Sequence, residues 1–324
     1  MSLKLGIVKA PNPNQEKEFL KHGDFLYILN KNQFSERTLN EMKKYQKISI
    51  EYDKNKSFNN IPENVNTIMF ANIYNDNPNR FPERITTLIF TRNAIIRNIP
   101  LGIKTLKLDK FYNSEICSSD NDQGENFTLI PNTVERLSFG EKFNKSLDFI
   151  PKSIKYLELG DNFNLPLNNL PSSLEEITFG SNFNQNIDNL PENIKKIYFG
   201  FGFNRPIDFL PYGVKFISFG YLFNKPIDNL GKVTHVIFGK MFNQSINSLP
   251  DSVELIVIGF ELIGNTLMNS LGNFSQKINK LPENLKYIFI ESHYIYMNEL
   301  RELIGSKNIE IISKNIVENS QKYL

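Results

Sequence analysis

Apolar residues return along this chain with a period of twenty. Between Pro131 and Ile150 they stand at Val134, Leu137, Phe139, Phe143, Leu147 and Ile150. The next copy has Ile154, Leu157, Leu159, Phe163, Leu167 and Leu170, and the one after it Leu174, Ile177, Phe179, Phe183, Ile187 and Leu190. Phe-Asn pairs mark the step: Phe143-Asn144, Phe163-Asn164, Phe183-Asn184, Phe203-Asn204 and Phe223-Asn224 lie 20 residues apart, and Phe242-Asn243 follows after 19. Within a copy, Leu137-Ser138-Phe139 alternates in, out, in, which predicts a short strand. The glycine that follows, Gly140 and its equivalents Gly160, Gly180, Gly200 and Gly220, tolerates positive φ and is expected to turn the chain off the strand. A repeat this short buries too little to offset the ordering of its own backbone, so copies must stack. The predicted fold is mainly β: a right-handed, leucine-rich-repeat-like solenoid of about 20-residue rungs with one parallel sheet.

Two columns have structural readings. A side-chain amide carries both donors and an acceptor, so Asn144, Asn164, Asn184, Asn204, Asn224 and Asn243 are expected to form an internal ladder on backbone groups left unpaired at each turn. Pro151, Pro171, Pro191 and Pro211 fit turns outside the strand ladder, because proline lacks an N–H.

Weaker copies flank the regular ones. Upstream, Pro62, Pro82 and Pro100 each precede a matching strand; downstream, strands are expected at Val253–Ile258 and Leu285–Ile290. Eleven strands are expected in all, interrupted by insertions over Asp109–Phe127 and Gly259–Phe274. This divides the chain into an N-terminal cap (1–57), the repeat array (58–290) and a C-terminal cap (291–324), with short helical segments closing both ends, since open ends expose sheet edge and core. Gln15–Leu29 has helix-like spacing, Ser35 is placed to N-cap a second helix through Tyr45, and Lys47–Tyr52 alternates like a strand. Met297–Ile304 reads as a helix stopped by Gly305, with a strand over Ile309–Ile312.

Charge adds little. Lys+Arg 37 against Asp+Glu 35 leaves a net charge of +2 and no basic stripe, so nucleic acid is not an implied partner. No run approaches the ~20 apolar residues of a membrane span. A single cysteine, Cys117, excludes an internal disulfide and fits a reducing, cytoplasmic setting. The three histidines, His22, His235 and His293, have no ligand-spaced cysteine or histidine beside them, so neither a metal site nor a cofactor is expected. Asp120, Asp122 and Glu125 resemble a fragment of a calcium loop without its closing glutamate, and read as a solvated loop. No catalytic residues are expected, and the chain reads as a non-enzyme.

The order Leu-Pro, apolar strand, Phe-Gly, then Phe-Asn-x-x-Ile resembles the FNIP repeat family. Phe183-Asn184-Gln185-Asn186-Ile187 followed by Asn189-Leu190-Pro191 is a close match, and Phe223-Asn224-Lys225-Pro226-Ile227 with Asp228-Asn229-Leu230 another, with Gly231 in place of proline. The resemblance covers residues 131–250 strongly and 58–290 more loosely. It implies a leucine-rich-repeat-like architecture of a type found in amoebae and their giant viruses, hence cytoplasm of the cell or, for a viral protein, of its host. It carries no catalytic residues. Many members pair the repeats with an F-box and are presumed to serve ubiquitin ligases; residues 1–57 show no Leu-Pro start with a compact three-helix pattern, and would be at most a degenerate adaptor-binding segment.

The strand residues pointing outward form two columns on the sheet face. They are polar in the middle of the array and turn apolar from Tyr198 onward. Tyr198, Phe216, His235, Ile237, Leu255, Val257, Tyr287 and Phe289 are therefore the expected partner-binding patch, unless the 259–274 insertion or the C-terminal cap folds over them. The expected function is a protein–protein interaction scaffold whose protein partner lies along the sheet. Alternatives are a ubiquitin-ligase substrate receptor and, more remotely, a carbohydrate-binding or hydrolytic solenoid using Glu158 and Glu176 near Tyr156 and Tyr198.

Overall fold

The computed structural model describes residues 19–28, 34–50, 58, 60–70, 81–91, 99–118, 127–263, 266–269, 272–313, 316–317 and 323. The acidic run 120–125 lies outside them. The chain divides into two compact units, Met1–Ile154 and Lys155–Leu324.

The first unit opens on an antiparallel hairpin, β1 (Phe19–His22) and β2 (Phe25–Ile28), turned through Gly23 at φ 55°. The helix expected here is replaced by strands. Five apolar residues satisfy helical spacing by count, but Lys21-His22-Gly23-Asp24 supplies a turn between two short runs. Helix α1 (Glu36–Met42) forms as expected behind Ser35, whose Oγ accepts from the Thr38 N–H at 3.1 Å, and ends three residues earlier than Tyr45. There follow β3 (Lys47–Ile50), β4 (Thr67–Phe70), β5 (Thr87–Phe90) and β6 (Thr105–Lys107). A small hairpin, β7 (Cys117–Ser118) and β8 (Phe127–Thr128), stands off this sheet before β9 (Arg136–Ser138) rejoins it. From β2 to β9 the pairing is parallel and in register: Leu26, Ile48, Ile68, Leu88, Leu106 and Leu137 lie side by side, all buried. The ladder thus begins at β2, well inside the stretch expected to be a cap.

Asp109–Phe127 is less of an insertion than its sequence suggests. Tyr112 takes the phenylalanine place and stacks on Phe143 at 6.1 Å, while Asn113 takes the asparagine place, its Oδ1 accepting from the Asn144 N–H at 2.9 Å. Among the described residues the interruption is the β7–β8 hairpin, after which Ile130 resumes the core.

The second unit continues the same logic with β10 (Tyr156–Glu158), β11 (Glu176–Thr178), β12 (Lys196–Tyr198), β13 (Phe216–Ser218), β14 (His235–Phe238) and β15 (Leu255–Ile258). An antiparallel hairpin, β16 (Phe260–Ile263) and β17 (Thr266–Asn269), leaves the ladder after Gly259. The ladder resumes with β18 (Tyr287–Phe289), passes through α2 (Met297–Ile304) to β19 (Glu310–Ile312), and β20 (Ile316–Val317) adds a third strand to the hairpin. Helix α2 ends at Gly305, φ 51°, as its sequence predicts. The eleven expected repeat strands are all present, β4–β6, β9–β15 and β18; β2, β3 and β19 extend the parallel ladder beyond 58–290.

Inside the second unit the phenylalanines form two tiers. Phe163, Phe183, Phe203, Phe223 and Phe242 are buried and stack on one another 6.0–6.2 Å apart. Phe179, Phe199, Phe219 and Phe238 form a second stack at 5.3–5.6 Å. The glycine column has a different cause from the one its sequence suggests. Among the described glycines positive φ occurs at Gly23, Gly102, Gly231, Gly259 and Gly305, so at this place in the rung Gly259 alone has it. A Cβ on Gly180 would lie inside van der Waals contact of the Gly160 carbonyl, and one on Gly200 inside that of Gly180. The column is glycine because backbone passes against backbone.

Candidate interaction surfaces

The structure brings the expected patch together but does not leave it open. Phe216, His235, Leu255 and Tyr287 lie in one cross-strand row, and Ile237, Val257 and Phe289 in the next, where Tyr198 pairs with Ser218. Phe216, Ile237, Leu255, Val257 and Phe289 are buried, and they pack with Phe260 and Leu267 of the β16–β17 hairpin and with Ile312. Phe260 meets the Phe289 ring edge-on at 6.1 Å, and Tyr323 meets Tyr287 and Phe289 at 5.0 and 5.2 Å. The insertion therefore forms a second layer over this end of the sheet. Outward apolar residues here are core, because they have an apolar cover supplied by the same chain.

Tyr198, His235 and Tyr287 remain half-buried at the rim. Burial pushes the Tyr198 phenol up to about 12, helped by Glu176. Burial also lowers the His235 pKa, against the opposing pull of Glu254 and a backbone bond with Tyr323; its Nδ1 lies 2.8 Å from Thr234 Oγ1.

Beyond the cover, the outward face of β10–β12 is open and polar. Glu158 and Lys196 are exposed, and Tyr156, Glu176 and Thr178 half-buried. In the first unit Lys107 and Arg136 are likewise exposed on the outward face.

The asparagine column does form a ladder, at the surface rather than inside. The N–H groups of Asn184, Asn204, Asn224 and Asn243 donate to Oδ1 of Asn164, Asn184, Asn204 and Asn224 at 2.9–3.0 Å. Ser275 closes the series, its N–H donating to Asn243 Oδ1 at 2.9 Å. Asn144 and Asn164 are exposed and the other four half-buried. The residue packed inside at this corner is the phenylalanine before each asparagine.

A second exposed feature escaped the sequence reading because it lies on a turn. The two residues after each glycine are polar early in the second unit, where Asp161 Oδ1 accepts from the Ser181 Oγ at 2.7 Å. Further on apolar side chains enter these places: Phe201 stacks on Tyr221 at 4.7 Å, and Phe201, Leu222 and Met241 are exposed, with Lys240 among them. Among the described residues no cluster of three or more His, Cys, Asp or Glu side chains is placed to hold a metal ion. No helix among them is long and apolar enough to cross a membrane.

A parallel ladder built from rungs of about twenty residues, each with strand, tight glycine turn and stacked aromatic corner, defines a solenoid of the leucine-rich-repeat class. Residues 143–182 and 183–222 match the FNIP repeat, and the chain carries FNIP repeats there. Among solved structures it is similar to CroV588, a novel circular LRR protein, at 24% sequence identity and a TM-score of 0.56 over 94% of this chain. The match covers 50% of that protein, so the chain spans about half its length. No curated protein matches the sequence.

Proposed function

We propose that the protein is a non-enzymatic interaction scaffold whose protein partner lies across the outward face of β10–β12. The observation that carries this is the division of the sheet face. Where the outward columns are apolar the chain covers them itself, burying Phe216, Ile237, Leu255, Val257 and Phe289. Where they carry charge of both signs, at Glu158, Glu176 and Lys196, they stay open beside the aromatic rim of Tyr156 and Tyr198. A sheet face with charge of both signs and two tyrosines is suited to a protein surface: the tyrosines supply contact area at low entropy cost and the charges set register.

The test is site-specific photocrosslinking from positions 158 and 196 in cells, with position 192, exposed on a turn, as control. The reading expects one protein captured from both sheet positions and not from 192, and lost in a Glu158→Lys, Glu176→Lys, Lys196→Glu triple variant. Equal capture from all three positions, or capture that survives the charge reversals, overturns it.

A further inference from the structure

The second unit builds the same turn on rung after rung, so its rungs serve as controls for one another. The two residues after the column glycine are Asp161-Asn162, Ser181-Asn182, Phe201-Gly202, Tyr221-Leu222 and Lys240-Met241. The backbone ladder through them is constant. The second residue donates its N–H to the carbonyl of the first residue one rung back: Asn182 to Asp161, Gly202 to Ser181, Leu222 to Phe201 and Met241 to Tyr221, at 2.7–3.0 Å. On the early rungs the side chains bond as well, Ser181 Oγ donating to Asp161 Oδ1 at 2.7 Å and Asn182 Nδ2 to Asn162 Oδ1 at 3.4 Å. Equivalent turns with an equivalent ladder place no demand on the later rungs for apolar side chains.

Apolar side chains stand there all the same. Phe201 is 50% exposed, Leu222 38% and Met241 45%. Phe201 and Tyr221 stack at 4.7 Å, and the Lys240 Nζ lies 5.4 Å from the Tyr221 ring. That stacking accounts for the two rings. It does not account for Leu222 and Met241, which sit on successive rungs of the turn ladder with Phe201 and Tyr221 beside them. One such residue alone would need no explanation; adjoining ones across three rungs make a patch.

The border of the patch has one sign of charge. Beyond the phenylalanine corner, the residue after each asparagine is Arg205 or Lys225 on these rungs, where the earlier rungs have Leu165 and Gln185. Arg205 is exposed, with its Nε donating to the Asn184 carbonyl at 2.9 Å, and Lys225 is half-buried. Lys240 is the cation on the turn itself. No acid occurs in residues 199–207, 219–227 or 238–246. Asp208 and Asp228 follow only after each rung has turned inward at Ile207 and Ile227. Glu291, which feels Lys240, is buried, and its Oε2 lies 2.7 Å from His293 Nε2.

We propose that this turn surface binds an acidic segment of a protein partner, its apolar side chains lying on Phe201, Leu222 and Met241 and its carboxylates reaching Arg205, Lys225 and Lys240. Cations on the turn and beyond the corner fix the sign of the partner's charge, since a basic segment meets repulsion at both. Charge-assisted bonds at the border set the register of a chain whose affinity comes from the apolar contacts between them. An anionic membrane would satisfy the same cations. The apolar groups favour a protein segment, because Phe201 lies stacked on Tyr221 along the surface and does not project as a membrane anchor would. The site lies on the turn side of the rungs and does not rest on the sheet-face reading.

The experiment selects short peptides from a random displayed library on the immobilised full-length protein, with a Leu222→Ser, Met241→Ser variant as counter-target. Enriched peptides should be net negative and carry large apolar residues. The most enriched one, made synthetically, should bind at least about tenfold more weakly to that variant and to an Arg205→Glu, Lys225→Glu, Lys240→Glu variant. Both variants change surface residues and should keep the parent's melting temperature. Binding to the Glu158→Lys, Glu176→Lys, Lys196→Glu protein should be unchanged, which separates this surface from the sheet face. No enrichment over the counter-target, enriched peptides that are neutral or basic, or binding that survives the charge reversals at 205, 225 and 240 overturns the proposal. Binding to phosphatidylserine vesicles that Leu222→Ser with Met241→Ser abolishes would assign the surface to a membrane and overturn the protein segment as its occupant.

Discussion

The backbone N–H of Asn204 donates to Oδ1 of Asn184 at 3.0 Å, and Asn204 in turn offers its own Oδ1 to the N–H of Asn224 at 3.0 Å. Each asparagine is thus acceptor for the next rung and dependent on the one before. What the position needs is the side-chain oxygen. Asn184→Ala should cost about 0.5–1.5 kcal/mol, the usual net worth of one hydrogen bond, because the corner is half-exposed and water can partly replace the acceptor. Asn184→Asp keeps an acceptor in place and should lose clearly less. Denaturant unfolding of both variants checks the order; equal losses would show that the amide's donors matter instead.

Gly180 separates two explanations of the glycine column. If the column existed for positive φ, asparagine would be a tolerable substitute, since it visits that region more readily than other side chains. The structure instead has backbone against backbone, with the Gly160 carbonyl where a Gly180 Cβ would go. Gly180→Ala and Gly180→Asn should therefore be similarly damaging, each by about 1–3 kcal/mol or more, because neither strand nor turn can yield without parting the rungs. A stable Asn variant beside an unstable Ala variant would contradict this.

His235 gives the fold an acid-sensitive spot. Its pKa is lowered, chiefly by burial, with Lys286 and Lys196 acting in the same direction and Glu254 and the Tyr323 backbone opposing. A lowered histidine pKa means that the unfolded chain takes up the proton first. The stability tied to neutral His235 is intact above the ordinary histidine value and is lost as pH falls from there to the folded-state value. His235→Gln should narrow the difference in melting temperature between about pH 7.5 and about pH 5, a window that brackets the ordinary histidine pKa of about 6.5. An unchanged difference would place the acid sensitivity elsewhere.

Much of this architecture is legible in the residues, and the parts that are not have identifiable causes. The eleven repeat strands, the Ser35 cap and the Met297–Ile304 helix follow from period, capping chemistry and spacing, all of which act within one rung or one turn. The β1–β2 hairpin was disguised because short apolar runs fit helix and strand alike, and the decisive signal was Gly23 between them. Tyr112-Asn113 was hidden by a one-residue change from Phe-Asn, though its distance from Leu106 and Leu108 matches the regular rung. The fate of Phe216, Leu255 and their neighbours was not readable from the strands that carry them. Outward apolar columns look alike whether a partner or a distant segment covers them, and here Phe260, Leu267 and Tyr323 decide.

The hairpin itself offers the most direct test. Gly259 and Gly272 stand close enough that a Cβ on Gly272 would lie 3.0 Å from the Gly259 Cα, and joining them by excising residues 260–271 restores the regular spacing of Gly-x-x-Phe at Phe274. This excursion seals an apolar sheet face and leaves the polar face of β10–β12 as the open one. Fluorescence of a hydrophobic dye such as ANS with the excised protein measures it. The excised chain should keep its β-sheet circular dichroism, bind the dye strongly, and lose that binding when Phe216 and Leu255 are changed to serine. A folded, excised chain that binds no more dye than the parent would contradict it.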